Sequence, residues 1–227
     1  MNLARIATTL SLLFCSLLAL AAPATQCPAV YLDGHSPEIT NTKLALDTRE
    51  LCFEAFGVMH SGVTRTPLWS AEHLTGSNVQ AAQEQSRKNS FHAEEGLPVG
   101  ARAELKDYAR SGYDRGHMSP NGDMPDRQSQ FESFSLANMV PQAFLGSNLQ
   151  KVGNVLVPTH LYKVVYSPKR HAAAAYFIAN NAAAQYQIVS IAQLEPIVGI
   201  DLLPSLSSRE KAELLALPQP RSRARGD

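Results

Sequence analysis

The chain has 227 residues, of which 44% are hydrophobic and 18% are charged. This composition is typical of one globular domain and argues against a disordered or fibrous protein. Lys and Arg number 20, as do Asp and Glu, so the formal net charge is +0. Because no bulk positive field attracts nucleic acid, any recognition of phosphate has to come from local clusters of basic side chains.

The N-terminus has the pattern of a secretory signal peptide, with a cationic start at Arg5, an apolar run over residues 6–20 and small residues after it. An A-x-A pattern ending at Ala21 predicts a signal peptide over 1–21, and Ala24 offers a second cleavage site. A retained membrane anchor is the alternative, but the run is shorter than the ~20 apolar residues of a spanning helix. We therefore expect export to the periplasm or the extracellular space, with no membrane attachment after cleavage.

Two cysteines, Cys27 and Cys52, remain after the predicted cleavage. In an exported chain this number favours one disulfide bond between them. The alternative is a pair of buried free thiols.

The remaining elements indicate one domain over residues 22–218, since no internal repeat is visible. Alternating apolar residues over 51–74 predict a strand or hairpin followed by a short helix. Two later segments, 154–168 and 172–181, are rich in Val, Tyr and alternating apolar residues and predict two antiparallel strands. The tail over 219–227 is polar and basic, and we expect it to be mobile.

Two capping boxes predict helix starts near the C-terminus. Ser190 precedes Gln193 by three residues, and Ser207 precedes Glu210 by three. In this spacing each serine accepts a backbone hydrogen bond from the third residue of the helix, and that residue reaches back. The helices should begin near residues 191 and 208, and the second should end before Pro218.

The most informative polar stretch is Asp114-Arg115-Gly116-His117, followed by Pro120. An imidazole can take a proton from water near neutral pH, so His117 is a candidate general base. Arg115 carries a permanently charged, planar group that suits a phosphate oxygen, and Gly116 permits close backbone approach. Asp114 could orient His117 or a neighbouring donor. Taken alone, a histidine in this setting is more often structural than catalytic.

These four residues resemble the D-R-G-H signature of the DNA/RNA non-specific endonucleases, a ββα-metal family that includes secreted bacterial nucleases and endonuclease G. The segment over 133–142, SFSLANMVPQ, resembles the S-N-x-x-P-Q box of the family, with Ala137 where a serine is usual. The resemblance extends to further segments along the mature chain, at 65–75, 87–98, 157–168 and 193–204.

The resemblance implies an α+β fold with a central antiparallel sheet flanked by helices, and Mg²⁺-dependent cleavage of DNA and RNA. It implies that His117 is the general base and that Arg115 and Arg87 contact phosphate. Asn138 would be a supporting, substrate-binding residue, and Asn148 would be the protein ligand of Mg²⁺, or of another divalent ion such as Mn²⁺. Such a site contacts the phosphate backbone and not the base edges, so little sequence preference is expected.

Asn148, Asn138 and Arg87 are assigned to the site only by the resemblance, and each has a simpler interpretation. Asn148 would be a loop residue, Asn138 a turn cap and Arg87 a surface arginine. A protease or another serine hydrolase is disfavoured, because no G-x-S-x-G elbow accompanies His117.

The chain departs from the family pattern after Asn148. The family continues there with a helix that carries a tryptophan and a glutamate, and then with a strand. Here only residues 151–154 separate the metal-site segment from the C-terminal strand, and Gly153 would stop a helix almost at once. We therefore expect an incomplete fold with a gap or exposed edge in the sheet. Weak or absent cleavage, or a nucleic-acid-binding or structural remnant, is the alternative to an active nuclease.

Overall fold

A computed structural model describes residues 24–143, 150–181 and 185–219. The predicted signal peptide over 1–21, the predicted metal ligand Asn148 and most of the predicted tail lie outside these ranges. Within them, no helix is long and apolar enough to cross a membrane.

The N-terminal part is built on a three-stranded antiparallel sheet. Its strands follow each other in chain order, after the short β1 (Glu38–Ile39): β2 (Thr48–Cys52), β3 (Phe56–Ser61) and β4 (Thr66–Glu72). The segment over 51–74 thus forms the predicted hairpin, but its end is strand β4 and not the predicted short helix. A helix, α1 (Gly76–Gln83), begins only after this segment. The Thr75 side chain accepts a hydrogen bond from the Asn78 backbone amide at 3.2 Å and so caps this helix.

The D-R-G-H residues lie on a strand that pairs with a distant part of the chain. After the one-turn helix α2 (Leu105–Tyr108), β5 (Tyr113–His117) pairs antiparallel with β6 (Met139–Ala143). Helix α3 (Arg127–Ser133) lies between these strands in sequence, and Asp126 caps it by accepting from the Ser129 amide at 2.8 Å. The register sets His117 opposite Met139.

A short hairpin stands at the place in the sequence where the resembled family continues with a helix. It consists of β7 (Lys151–Val152) and β8 (Val155–Leu156), joined through Gly153, whose φ is +53°. The Asp107 carboxylate accepts the Asn154 backbone amide at 2.9 Å and fixes the turn. In the described residues between β6 and the next long strand there is no helix, which agrees with the expected shortening.

The C-terminal part contains the two predicted long strands and both predicted helices. Strand β9 (His160–Ser167) pairs with β10 (Ala172–Ala179), which pairs with β11 (Gln187–Val189). The predicted first strand is split, because Pro158 lacks an amide donor and separates β8 from β9. Both capping boxes form, at the starts of α4 (Ile191–Val198) and α5 (Ser208–Ala212), and the short β12 (Ile200–Asp201) pairs with β1.

The α+β class is confirmed, but the strands form separate small antiparallel sheets instead of one continuous central sheet. Strands β4 and β9 are the facing edges of the two three-stranded sheets, and they share no ladder. The Tyr162 hydroxyl crosses between them and donates to the Leu68 carbonyl at 3.0 Å. A largely apolar groove of about 410 Å³ remains there, consistent with the expected gap.

Two apolar clusters hold these sheets together. The larger packs α4 against β10, through Ile191, Leu194 and small alanines of the strand. The second contains Leu136 and Met139, the first residue of β6, together with Val152 and Val155 of the β7–β8 hairpin. The shortened region is therefore part of the core that supports the β5–β6 pair.

The predicted disulfide bond between Cys27 and Cys52 is present. It joins the N-terminal segment to the end of β2, so the alternative of two free thiols is wrong for this structure. In the described ranges, one group of three potential metal ligands occurs, formed by these two sulfurs and Glu50. Because the two sulfurs are bonded to each other, this group is not a metal site.

Candidate active site

Strand β5 determines which D-R-G-H side chains share a face. Alternate residues of a strand point to opposite sides, so Arg115 and His117 lie on one face and Asp114 on the other. Asp114 is exposed, and in the described part of the chain no hydrogen bond or ion pair joins it to His117. The geometry gives no support to the predicted role of Asp114 in orienting the imidazole.

Gly116 allows β5 to approach the side chain of the partner strand. A β-carbon at this position would lie 2.8 Å from Oε1 of Gln142 and 3.3 Å from the Val140 carbonyl oxygen. The close approach expected at Gly116 is therefore made to β6, and it keeps His117 in register with Met139.

Asn138 holds the loop that follows His117. Its side chain is fully buried; Oδ1 accepts from the Ser119 amide at 3.0 Å, and Nδ2 donates to the carbonyls of Ser119 and Ser133, each at 2.9 Å. The Ser119 hydroxyl also hydrogen-bonds the Ser70 hydroxyl of β4 at 2.7 Å. Both polar atoms of the Asn138 side chain hydrogen-bond to the backbone of the protein. The geometry therefore favours a supporting role for Asn138 and not direct contact with substrate.

Two phenylalanines surround the His117 imidazole. The ring of Phe134 is 4.9 Å from the imidazole and nearly perpendicular to it, and the ring of Phe91 is 5.7 Å away. The two phenylalanines also contact each other edge to face at 4.8 Å. The imidazole is thus held in a rigid, apolar corner, and its Nε2 is buried without a hydrogen-bond partner in the described structure.

Both predicted phosphate-binding arginines lie over these aromatic rings. The guanidinium carbon of Arg115 is 3.9 Å from the centre of the Phe91 ring, and that of Arg87 is 5.2 Å from the centre of the Phe134 ring. These are cation–π distances. Arg87 also donates through Nε to Oδ1 of Asn89 at 2.8 Å. The structure therefore brings Arg87, which comes from a different segment of the chain, to the same site as Arg115 and His117 of β5.

The pKa of His117 is lowered from 6.5 to about 4. Burial of the imidazole is the main cause, because it disfavours the charged form, and the positive charge of Arg87 adds to it. At neutral pH the imidazole is accordingly neutral and able to accept a proton.

A second shifted group, Glu72, lies at the end of β4. Burial raises its pKa to about 8, and the neighbouring carboxylate of Asp123 adds to the increase, whereas Lys163 opposes it. The Lys163 amine is 3.9 Å from a carboxylate oxygen of each acid. Asp123 lies in the loop between β5 and α3, so this pair links β4 to the loop that Ser70 of β4 also contacts.

Sequence reasoning missed Phe91, Phe134 and Glu72. Phe91 follows Arg87 by four residues and Phe134 precedes Asn138 by four, so both lie inside segments already associated with the site. Apolar residues at these positions suggest ordinary core packing, and only the fold reveals that they contact the arginines.

The rings and the guanidinium group next to the His117 imidazole are not ligands for Mg²⁺, and in the described ranges no cluster of potential metal ligands lies at this site. The predicted ligand, Asn148, lies outside the described residues. The part of the site that the structure describes therefore does not form a metal site by itself, although it contains a base and two cations.

The sequence of the chain is similar to those of a known nuclease family. The sequence model of the DNA/RNA non-specific endonuclease family matches residues 35–148, half of the chain. A nuclease of Syncephalastrum racemosum is 44% identical over 82 residues, which cover 35% of this chain and 26% of that protein. The mitochondrial nuclease of Saccharomyces cerevisiae is 42% identical over 97 residues, or 42% of this chain and 29% of that protein.

A longer alignment, with the mitochondrial nuclease EXOG of Danio rerio, has 29% identity over 205 residues, covering 66% of this chain and 59% of that protein. The chain thus spans between about a quarter and three fifths of the length of these relatives. A chain in the crystal structure of the EndoG/EndoGI complex has the same fold, with a TM-score of 0.61 at 21% identity, covering 74% of this chain and 92% of that chain. By its family match over half of its length, the chain belongs to the DNA/RNA non-specific endonuclease family.

Proposed function

We propose that the chain hydrolyses phosphodiester bonds of DNA and RNA without sequence specificity, with His117 as general base. One observation carries the proposal: a neutral, half-buried imidazole lies beside two guanidinium groups that have no carboxylate partner in the described ranges. Cations not neutralised by the protein suit the oxygens of a backbone phosphate, which carries no base identity. Family membership supports the same activity.

In the proposed reaction, Arg115 and Arg87 bind the non-bridging oxygens of the scissile phosphate. His117 removes a proton from a water molecule, whose oxygen bonds to phosphorus as the bond to the leaving oxygen breaks. The bound phosphate also places negative charge near His117, which opposes the effect of Arg87 and raises the pKa of the imidazole. His117 should therefore be a stronger base in the complex than in the free protein.

We propose Mg²⁺, or Mn²⁺ in its place, as the cofactor, with Asn148 as the protein ligand. The family resemblance supports this assignment, and a bound divalent ion would stabilise negative charge on the phosphate. The roles of His117 and the two arginines do not depend on the identity of the ion.

Nicking of a supercoiled plasmid by purified mature protein tests this function. We expect cutting in Mg²⁺ that stops in excess EDTA, with a 10²- to 10⁴-fold slower rate for His117→Ala, roughly the contribution of a general base. His73→Ala is the matched control, because His73 is exposed and lies outside the site. Equal cutting by His117→Ala and the unmodified chain would refute the assignment.

A second candidate is a protein that binds nucleic acid through phosphate but does not cleave it. The β7–β8 hairpin favours it, because this hairpin stands in the sequence where the family has a supporting helix. Filter binding at two salt concentrations distinguishes the candidates when combined with the nicking assay. Binding that falls steeply with salt, with no cutting in Mg²⁺ or Mn²⁺, would favour this second function.

We propose export to the periplasm or the extracellular space as the destination. The signal-peptide pattern supports it, and so does the disulfide bond, because such bonds persist in oxidising compartments. Fractionation of cells that express the full chain, followed by N-terminal sequencing, tests this; an intact N-terminus in the reducing cytosol would contradict it.

A further inference from the structure

In the described part of the chain, the Arg115 guanidinium packs on an aromatic ring and pairs with no carboxylate. Its carbon lies 3.9 Å from the centre of the Phe91 ring, and no ion pair to a carboxylate of the described chain involves Arg115 or Arg87. Arginines are usually fixed by carboxylates, which neutralise them and use their donors. An aromatic face attracts the cation from one side and leaves the N–H donors in the plane of the guanidinium available.

The fold fixes the Phe91 ring through the next residue and through a buried neighbour. The His92 amide donates to the Phe134 carbonyl at 3.3 Å, and the His92 carbonyl accepts from the Leu136 amide at 2.8 Å. These bonds join the 91–92 segment to the end of α3. The edge-to-face contact with fully buried Phe134, at 4.8 Å, then restricts the Phe91 ring itself.

We propose that Phe91 is a positioning residue that holds the Arg115 guanidinium ready for a substrate phosphate while leaving its charge unneutralised. Phe134 supports Arg87 in the same way, at the longer distance of 5.2 Å. The proposal rests on the phosphate-binding role of Arg115 proposed above. It predicts that Phe91 affects phosphate binding only through Arg115.

A double-mutant cycle measures this dependence without any cleavage. The four proteins are the unmodified chain, Phe91→Leu, Arg115→Ala and the double variant, and the probe is a fluorescent single-stranded DNA oligonucleotide in EDTA. We expect Phe91→Leu to weaken binding about threefold to tenfold, as loss of one cation–π contact should. In the Arg115→Ala background, Phe91→Leu should have no further effect. An equal effect of Phe91→Leu in both backgrounds would overturn the proposal.

Conservative and remote variants separate positioning from stability. Phe91→Tyr keeps the ring and should retain near-normal affinity, whereas Phe91→Leu keeps an apolar side chain and should not. Phe177→Leu is the matched control, because Phe177 is also half-buried and also contacts an imidazole, that of His160, at 4.9 Å. Loss of affinity in Phe177→Leu equal to that in Phe91→Leu would indicate general destabilisation and overturn the proposal.

Side-chain NMR gives a readout that does not depend on binding. The ¹⁵Nε relaxation of Arg115, assigned with Arg115→Lys, should show an ordered guanidinium in the unmodified chain and in Phe91→Tyr, and a mobile one in Phe91→Leu. Unchanged order in Phe91→Leu would overturn the positioning role. Absence of cleavage by the unmodified chain, with the cycle and the NMR result as expected, would refute the hydrolytic function and leave this proposal in place.

Discussion

His117 combines burial with the positive charge of Arg87, and both lower the pKa of its imidazole to about 4. Because kcat/KM reports the free protein, we expect its acid limb near pH 4, well below the usual histidine value. The acid limb of kcat should lie at higher pH, since the bound phosphate opposes the charge of Arg87. Rates of oligonucleotide cleavage between about pH 3 and 8 check both limbs.

The charge of Arg87 is the smaller of the two causes that lower the pKa of His117. Arg87→Gln removes this charge and should raise the pKa of His117, although burial should keep that pKa below 6.5. NMR titration of the imidazole measures this directly in the folded protein. Arg209→Gln is the control, because Arg209 is exposed on α5 and pairs with Glu213. An unchanged pKa in Arg87→Gln would contradict the closeness of Arg87 and His117.

Glu72 should make the protein less stable at alkaline pH. Its folded pKa, about 8, lies above the ordinary glutamate value of 4.5, so its contribution to stability is fully present below pH 4.5 and is lost as the pH rises through about 8. Glu72→Gln should therefore raise the melting temperature more at pH 9 than at pH 5. Thermal unfolding at both values tests this, with exposed Glu84→Gln as the control; the same change in melting temperature at both pH values would contradict it.

The sequence indicated the polar residues of the candidate active site better than the apolar residues around them. The D-R-G-H motif and its resemblance pointed to His117, Arg115 and Arg87, which the fold brings together. It could not indicate that Asp114 faces away, because that depends on strand alternation in β5. The roles of Phe91 and Phe134 depend on contacts between segments some forty residues apart in the chain.

Among the elements, those with local signals were predicted most closely. The capping boxes at Ser190 and Ser207 place α4 and α5 correctly, because each box involves residues only three apart. The pairing of β5 with β6 joins residues more than twenty apart, and no local pattern specifies its register. Helix α3 is short and polar, which left it without a clear apolar period.

The β7–β8 hairpin depends on Gly153. Its φ of +53° is unfavourable for other residues, and a β-carbon there would lie 2.6 Å from the Asp107 Cα. Gly153→Ala should lower the free energy of unfolding by about 2 kcal/mol or more, through backbone strain and overpacking. Urea denaturation measures this, and Gly100→Ala is the control, because nothing lies within 4 Å of its added carbon. Equal stability of both variants would contradict this account of the turn.

For the whole molecule, the disulfide between Cys27 and Cys52 closes a loop with a sequence separation of 25. Its reduction should lower the free energy of unfolding by about 3 kcal/mol, since the unfolded chain gains freedom. Denaturation with and without dithiothreitol checks this. The free energy of unfolding of the control, the double variant Cys27→Ser/Cys52→Ser, should be the same with and without the reductant. If the reductant also leaves the unmodified chain unchanged, the bond adds no stability.

The fold as a whole shows what the shortened chain has in place of the missing family elements. The sequence indicated that a helix and a strand of the family are absent, and the described fold has a hairpin and an apolar groove between β4 and β9. Neither the hairpin nor its packing against Leu136 and Met139 could be predicted, because both depend on tertiary contacts. Residues of the hairpin thus fill the core beside β5 and β6 in the shortened chain. For this reason we favour an active nuclease over a remnant.

Chemical rescue of His117→Ala tests the central claim most directly. Initial rates of single-stranded DNA and RNA cleavage are measured in Mg²⁺ for the unmodified chain, His73→Ala and His117→Ala, each with and without added imidazole. We predict that only His117→Ala loses activity and that imidazole restores part of it, because the free base replaces the missing one. Cleavage by His117→Ala at the unmodified rate, or no cleavage by any of the three proteins, would contradict the account.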